Sequence, residues 1–182
     1  MPVQTWLDLM LLVLVVSAAI TDLAFRKIPN LLLLAAWCGV FGLHLAGATP
    51  AGSAATALGG AATGFALFIP LYALRGMAAG DVKLMATVGL FFGAGQTVHA
   101  CILAWCLGGV MALAMILVTG RWQLAWAGLR KLFVALLPLP LLAWLGVGPA
   151  PQAPAGQSAG SIPYGLAIAL GALWLLARRH YG

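Results

Sequence analysis

Long apolar stretches alternate with short polar ones along this chain, on the length scale of helices that cross a membrane. The first stretch covers residues 4–22 and closes on Thr21-Asp22. Pro29-Asn30 opens a second, which runs to about Leu45; proline suits a first helical turn because the N–H it lacks would be unpaired there. A third spans 54–74 and ends at Arg75, a fourth starts near Asp81 and ends by Gly95, and a fifth runs from Thr97 to Thr119. Apolar runs of roughly 15–22 residues approach the length that crosses about 30 Å of hydrocarbon. The last third is less regular. Residues 132–148 are apolar but contain Pro138 and Pro140, residues 149–160 are rich in Pro, Gly, Ser and Ala, and a final helix is expected over about 162–177.

Composition sharpens this picture. Of 182 residues, 64% are hydrophobic and 7% are charged, against about 25% charged in an ordinary soluble domain. The mean hydropathy is +1.08. The fold class expected is therefore all-α, a polytopic transmembrane helix bundle with the lipid bilayer as its partner. The net charge of +6 does not mark a nucleic-acid-binding face, because the cations sit in short clusters between apolar runs. Arg26, Lys27, Arg75, Lys83, Arg121, Arg130 and Lys131 follow the first, third and fifth runs, whereas the loops after the second and fourth hold none. That alternation puts the N-terminus outside and both Asp22 and Asp81 on the cytosolic side. No basic residue precedes the first run, so it is read as a retained helix rather than a cleaved signal.

Cys38, Cys101 and Cys106 lie in apolar runs without a CxxC pair and are read as small core residues. His44, His99 and His180 stand far apart near run ends and are read as interfacial, so no metal site and no cofactor are expected. Gly60-x-x-x-Gly64 and Gly89-x-x-x-Gly93 have the spacing that lets helix backbones approach closely, although ordinary packing in a glycine-rich chain accounts for them equally simply.

The chain has three acidic residues, Asp8, Asp22 and Asp81, and no glutamate. Asp8 belongs to the first turns of the first helix and is read as interfacial. Asp22 and Asp81 adjoin hydrocarbon, where an aspartate costs about 2.5–3.5 kcal/mol at a helix centre and less near the ends. Charge placement leaves two readings open. The two side chains either cap helices or pair with Arg26, Lys27 and Lys83, or they act together. Two carboxylates held close share one proton, so one member can activate water while the other polarises a carbonyl. That would be peptide hydrolysis without a metal or a nucleophilic Ser or Cys.

Asp22-Leu23-Ala24-Phe25-Arg26-Lys27-Ile28-Pro29-Asn30 and Gly76-Met77-Ala78-Ala79-Gly80-Asp81-Val82-Lys83-Leu84 resemble the two active-site segments of the type IV prepilin (leader) peptidases, intramembrane aspartic proteases of the GxGD type. Ser161-Ile162-Pro163-Tyr164-Gly165 resembles the family's third motif, a Pro-aromatic-Gly that opens the last helix. The resemblance implies an aspartic endopeptidase that cuts the basic leader from prepilins or pseudopilins at the cytosolic face of the bacterial inner membrane. Asp22 and Asp81 would be the catalytic pair, with Gly80, Lys83, Lys27, Pro29, Asn30, Pro163, Tyr164 and Gly165 binding substrate or supporting the site.

Two departures from the pattern carry information. Ala78 replaces the first glycine of GxGD, which would be costly if φ were positive there. The cytosolic domain with paired CxxC motifs is missing between Asp22 and the second helix, so the chain looks like the short, peptidase-only kind that serves Flp or tight-adherence pili without N-methylation. A single membrane-embedded domain over 1–182 is expected: a core over 1–119, a basic and interfacial or re-entrant segment over 120–160, and the last helix and tail over 161–182. Six spanning helices are expected, as the third motif implies, with a seventh over 132–148 possible because Arg178-Arg179 favour it. Two other classes compete with the protease: a catalytically inactive pilus or secretion assembly protein, and a small proton-coupled transporter, although no internal repeat of the transporter kind is evident.

Overall fold

The computed structural model describes residues 3–46, 53–74, 76–120 and 163–181. These residues form five helices and no strand: α1 (Val3–Phe25), α2 (Asn30–Leu45), α3 (Ser53–Ala73), α4 (Ala79–Thr119) and α5 (Tyr164–Tyr181). Residues 1–109 and 163–182 make one compact unit, and 110–162 a second, of which 110–120 are described. The expectations for 132–148 and for the linker 149–160 lie outside the described residues. Three helices are long and apolar enough to cross a membrane, at Val3–Phe25, Ala54–Ala73 and Ala79–Val118, while α2 is a shorter apolar helix. The protein is a helical membrane bundle.

Each boundary has a local cause. Arg26, at φ 52°, takes the left-handed position that ends α1, a place where glycine is the usual residue. Pro29 is the extended N-cap of α2 (φ −63°, ψ 127°), one position ahead of the first turn where the sequence pattern put it. The fourth and fifth apolar runs form one element broken at Gly93, two residues before the expected end of the fourth. Gly93 has φ 71° and ψ 171°, a backbone that only glycine adopts readily. Thr97 Oγ1 donates a buried 2.6 Å hydrogen bond to the Gly93 carbonyl and steadies the turn. The arms on either side, 79–92 and 94–109, run in opposite directions. Arg179 lies over the Phe92 ring and also reaches Gln96, whereas Asp81 and Gly108, distant from the break along the two arms, both lie near Tyr164.

Backbone contacts through glycine hold α3 against the first arm of α4. A methyl group on Gly60 would strike the Gly89 carbonyl, and one on Gly89 would strike the Gly60 carbonyl. One on Gly64 would lie 2.6 Å from the Met85 oxygen, and one on Gly93 would lie 2.9 Å from the Thr56 methyl. The pairs 56/93, 60/89 and 64/85 step along antiparallel helices, so both glycine motifs pack against each other. On α1, residues 8, 11, 15, 18 and 22 recur at helical spacing and are all buried, so Asp8 and Asp22 share the core-facing stripe with Leu11, Val15 and Ala18.

Asp8 is therefore not an interfacial bystander. It is 7% exposed, its Oδ1 accepts from Gln4 Nε2 at 2.9 Å and from Arg179 at 3.1 Å, and its Oδ2 lies 3.1 Å from His180 Nε2. His180 reaches Asp8 from an exposed position in the last turn of α5. Because Asp8 starts α1 and Arg179 ends α5, the two helices are antiparallel, with the start of α5 beside the end of α1. Of the cysteines only Cys101 is in the core; Cys38 and Cys106 face outward from the bundle.

Gly59 and Gly60 give a matched test of the glycine interface, since a methyl on Gly59 meets nothing within 4 Å. Gly60→Val should lower stability in thermal unfolding of the detergent-solubilised protein by at least the ~1–3 kcal/mol typical of overpacking. Gly59→Val should melt like the wild type.

Candidate active site

Asp22 arrives on the last full turn of α1, on the stripe that faces the bundle. It is 7% exposed, and it packs against the opening turn of α5. The backbone N–H groups of Gly165 and Leu166 face its carboxylate, and Arg26 is within electrostatic reach. Oδ2 is nevertheless shut off from solvent and accepts no hydrogen bond among the described residues. A buried oxygen without a donor is unfavourable unless something arrives to use it, and such atoms concentrate at working sites. Gly165 explains the approach: a β-carbon there would sit 2.7 Å from Asp22 Oδ2 and 2.9 Å from its carboxyl carbon. Only glycine lets α5 come this close.

Asp81 enters from the opposite direction, on the first turn of α4, and is 5% exposed. Its Oδ2 accepts the Ala78 N–H at 3.2 Å, and its own N–H bonds the Ala78 carbonyl at 3.1 Å. An acid three residues into a helix that reaches back to the capping residue is half of a capping box. Of the structural roles that the sequence left open, capping is thus present at Asp81. Ala78 is exposed and its φ is not positive, so alanine in place of the first motif glycine carries no backbone strain.

The two carboxylates are close enough to interact electrostatically, and Tyr164 is within the same reach of Asp81. The Tyr164 ring lies in a slot beside Gly108, where a β-carbon would come within 2.6 Å of the ring edge. Sequence reading had no means to single out Gly108, because one glycine in an apolar helix looks like any other. Pro163, Tyr164 and Gly165 all belong to this end of the bundle. Gly80 is partly buried next to Asp81, and a β-carbon on it would first meet Ile28, at an ordinary 3.7 Å. The Ile28 side chain covers that side of the turn that presents Asp81.

The remaining expected site residues lie elsewhere. Lys27 and Pro29 are exposed in the turn between α1 and α2. Lys83 turns away from Asp81 and donates to Asn30 Oδ1 at 3.2 Å; among the described residues it forms no ion pair. Among the described residues no three His, Cys, Asp or Glu side chains come together as metal ligands would.

Fold and site together define a helical membrane protein with two buried aspartates at one end of its bundle. A family model described as the type IV leader peptidase family matches residues 9–113, more than half of the chain, and the chain belongs to that family. The match takes in both aspartate segments and ends before the Pro163-Tyr164-Gly165 turn that completes the site. No curated protein and no solved structure matches the chain.

Gly165→Ala should displace the Asp22 carboxylate while leaving the helices in place. Peptidase activity should fall at least about tenfold, the scale expected when a reacting group is misplaced by a fraction of an ångström. Circular dichroism and the melting temperature should stay near wild type.

Proposed function

We propose that this protein is an aspartic endopeptidase that removes the basic leader from type IV or Flp-type prepilins or pseudopilins, at the cytosolic face of the bacterial inner membrane and without N-methylation. The observation that carries the reading is the convergence of Asp22 and Asp81. They come from a helix end and a helix start, at the same end of an apolar bundle, with one carboxylate oxygen buried and unused.

The chemistry follows from the pair. Two neighbouring carboxylates hold one proton between them. The ionised member takes a proton from water as the water oxygen attacks the scissile carbonyl carbon, and the protonated member donates a hydrogen bond to the carbonyl oxygen. Collapse of the tetrahedral intermediate breaks the C–N bond, and the proton passes to the departing amine. The first turn of α5 fixes Asp22 from behind. Neither metal nor cofactor takes part.

We place the dyad on the cytosolic side because the cations follow the first, third and fifth apolar runs. Six crossings fit: α1, α2, α3, the two arms of α4, and α5. The antiparallel pairing of α1 with α5 supports a C-terminus on the N-terminal side, and Asp8 neutralises the Arg179 that argued otherwise.

Membranes containing the protein and a candidate prepilin should convert precursor to mature pilin, and Asp22→Ala and Asp81→Ala should each reduce processing at least about a hundredfold. Equal processing by all three proteins would overturn the proposal and leave an assembly role. For topology, a cysteine added at the C-terminus of a variant with Cys38, Cys101 and Cys106 changed to Ala should react with an impermeant thiol reagent in spheroplasts. Protection would overturn the six-crossing arrangement.

A further inference from the structure

A groove of about 610 Å³ opens between α2, α3 and the first arm of α4. It is not the catalytic site. Lys83 is two residues beyond Asp81, about 200° around the helix, so groove and dyad occupy opposite faces of α4. Asn30, Leu34 and Trp37 line one wall at helical spacing, Lys83 and Thr87 the other, and Phe65 comes from α3.

Polar groups gather only at the mouth. At the inner end the Trp37 indole N–H donates to Thr87 Oγ1 at 3.0 Å, and Thr87 donates in turn to the Lys83 carbonyl at 2.8 Å, which leaves apolar surface facing the cavity. At the mouth Lys83 spends one donor on the neutral Asn30 amide, and no carboxylate among the described residues offsets its charge. The same mouth receives the N-terminus of α2, a 16-residue helix whose Pro29 N-cap supplies no side-chain cap. The first-turn amides there present partial positive charge. An ammonium, an amide NH₂ and an uncapped helix start thus converge on one point above an apolar slot.

We propose that this groove binds an anionic phospholipid, with its phosphate at Lys83, Asn30 and the start of α2, and an acyl chain along Leu34, Phe65 and Trp37. Charge complementarity selects an anionic head, and the apolar walls, with Leu34 and Phe65 open to the outside, select a hydrocarbon tail. The assignment stands on the groove alone and does not depend on the dyad's being catalytic.

The full-length protein in mixed micelles, compared with Trp37→Phe to isolate the Trp37 signal, should show stronger quenching by phosphatidylglycerol brominated in its acyl chains than by phosphatidylcholine brominated likewise. A severalfold difference is expected. Lys83→Gln should abolish the headgroup preference, and Asp81→Asn should retain it, which separates this site from the peptidase reading. Equal quenching by both lipids, a preference that survives Lys83→Gln, or relief of quenching by an added apolar helical peptide would each overturn the proposal.

Discussion

Lipid tails are as apolar as leucine, so a membrane bundle gains little from bringing apolar side chains together, and close backbone approach has to do that work. Here the approach runs through glycine. Gly60 and Gly89 bring α3 onto α4, Gly39 accepts Met10 of α1 against α2, and Gly108 makes the slot that holds Tyr164. The site depends on the same device, since Gly165 is what allows α5 to reach Asp22. A β-carbon at this one position would meet the carboxylate rather than a neighbouring backbone. The packing rule and the chemistry meet at one residue.

The two buried aspartates of α1, Asp8 and Asp22, lie on the same stripe and are equally buried, yet they sit in different surroundings. Asp8 has cationic partners, with Arg179 hydrogen-bonded to Oδ1 and His180 within ion-pair range of an Oδ2 that accepts no hydrogen bond among the described residues, and that cluster ties α1, α4 and α5 together far from the dyad. Asp22 faces backbone amides, and one of its oxygens has no partner. Removing either partner from a buried ion pair is costly, so the first arrangement suits a fastener. The second suits a group that must accept something new during a reaction.

Much of this was legible in the sequence because hydrocarbon imposes lengths and excludes charge. The extents of α1, α2 and α3 followed from apolar run length, and the two aspartates stood out because the chain has so few acids. The motif around each added the leader peptidase family. What the sequence did not reveal depends on relations between distant segments. Asp8 read as interfacial because its partners lie on α5. Lys83 read as an aid to Asp81 because the two are neighbours in sequence, although the helix turns them to opposite faces. The break falls at Gly93 rather than by Gly95, because any of the closely spaced glycines Gly89, Gly93 and Gly95 could make the turn and only the fold selects the one with positive φ. Cys38 and Cys106 read as core residues, but in a bilayer the outward face is as apolar as the inner one.

The pairing of Arg179 with Asp8 joins residues 171 positions apart, and this has a bearing on biogenesis. A chain made from its N-terminus presents Asp8 long before Arg179 exists. During that interval the acid waits without its cation, and the first helix lacks its last neighbour. Arrival of α5 brings the counter-ion to Asp8 and, with the same docking movement, the amides of Gly165 and Leu166 to Asp22. Helix α5 thus acts as a keystone, because one docking movement completes the surroundings of both Asp8 and Asp22.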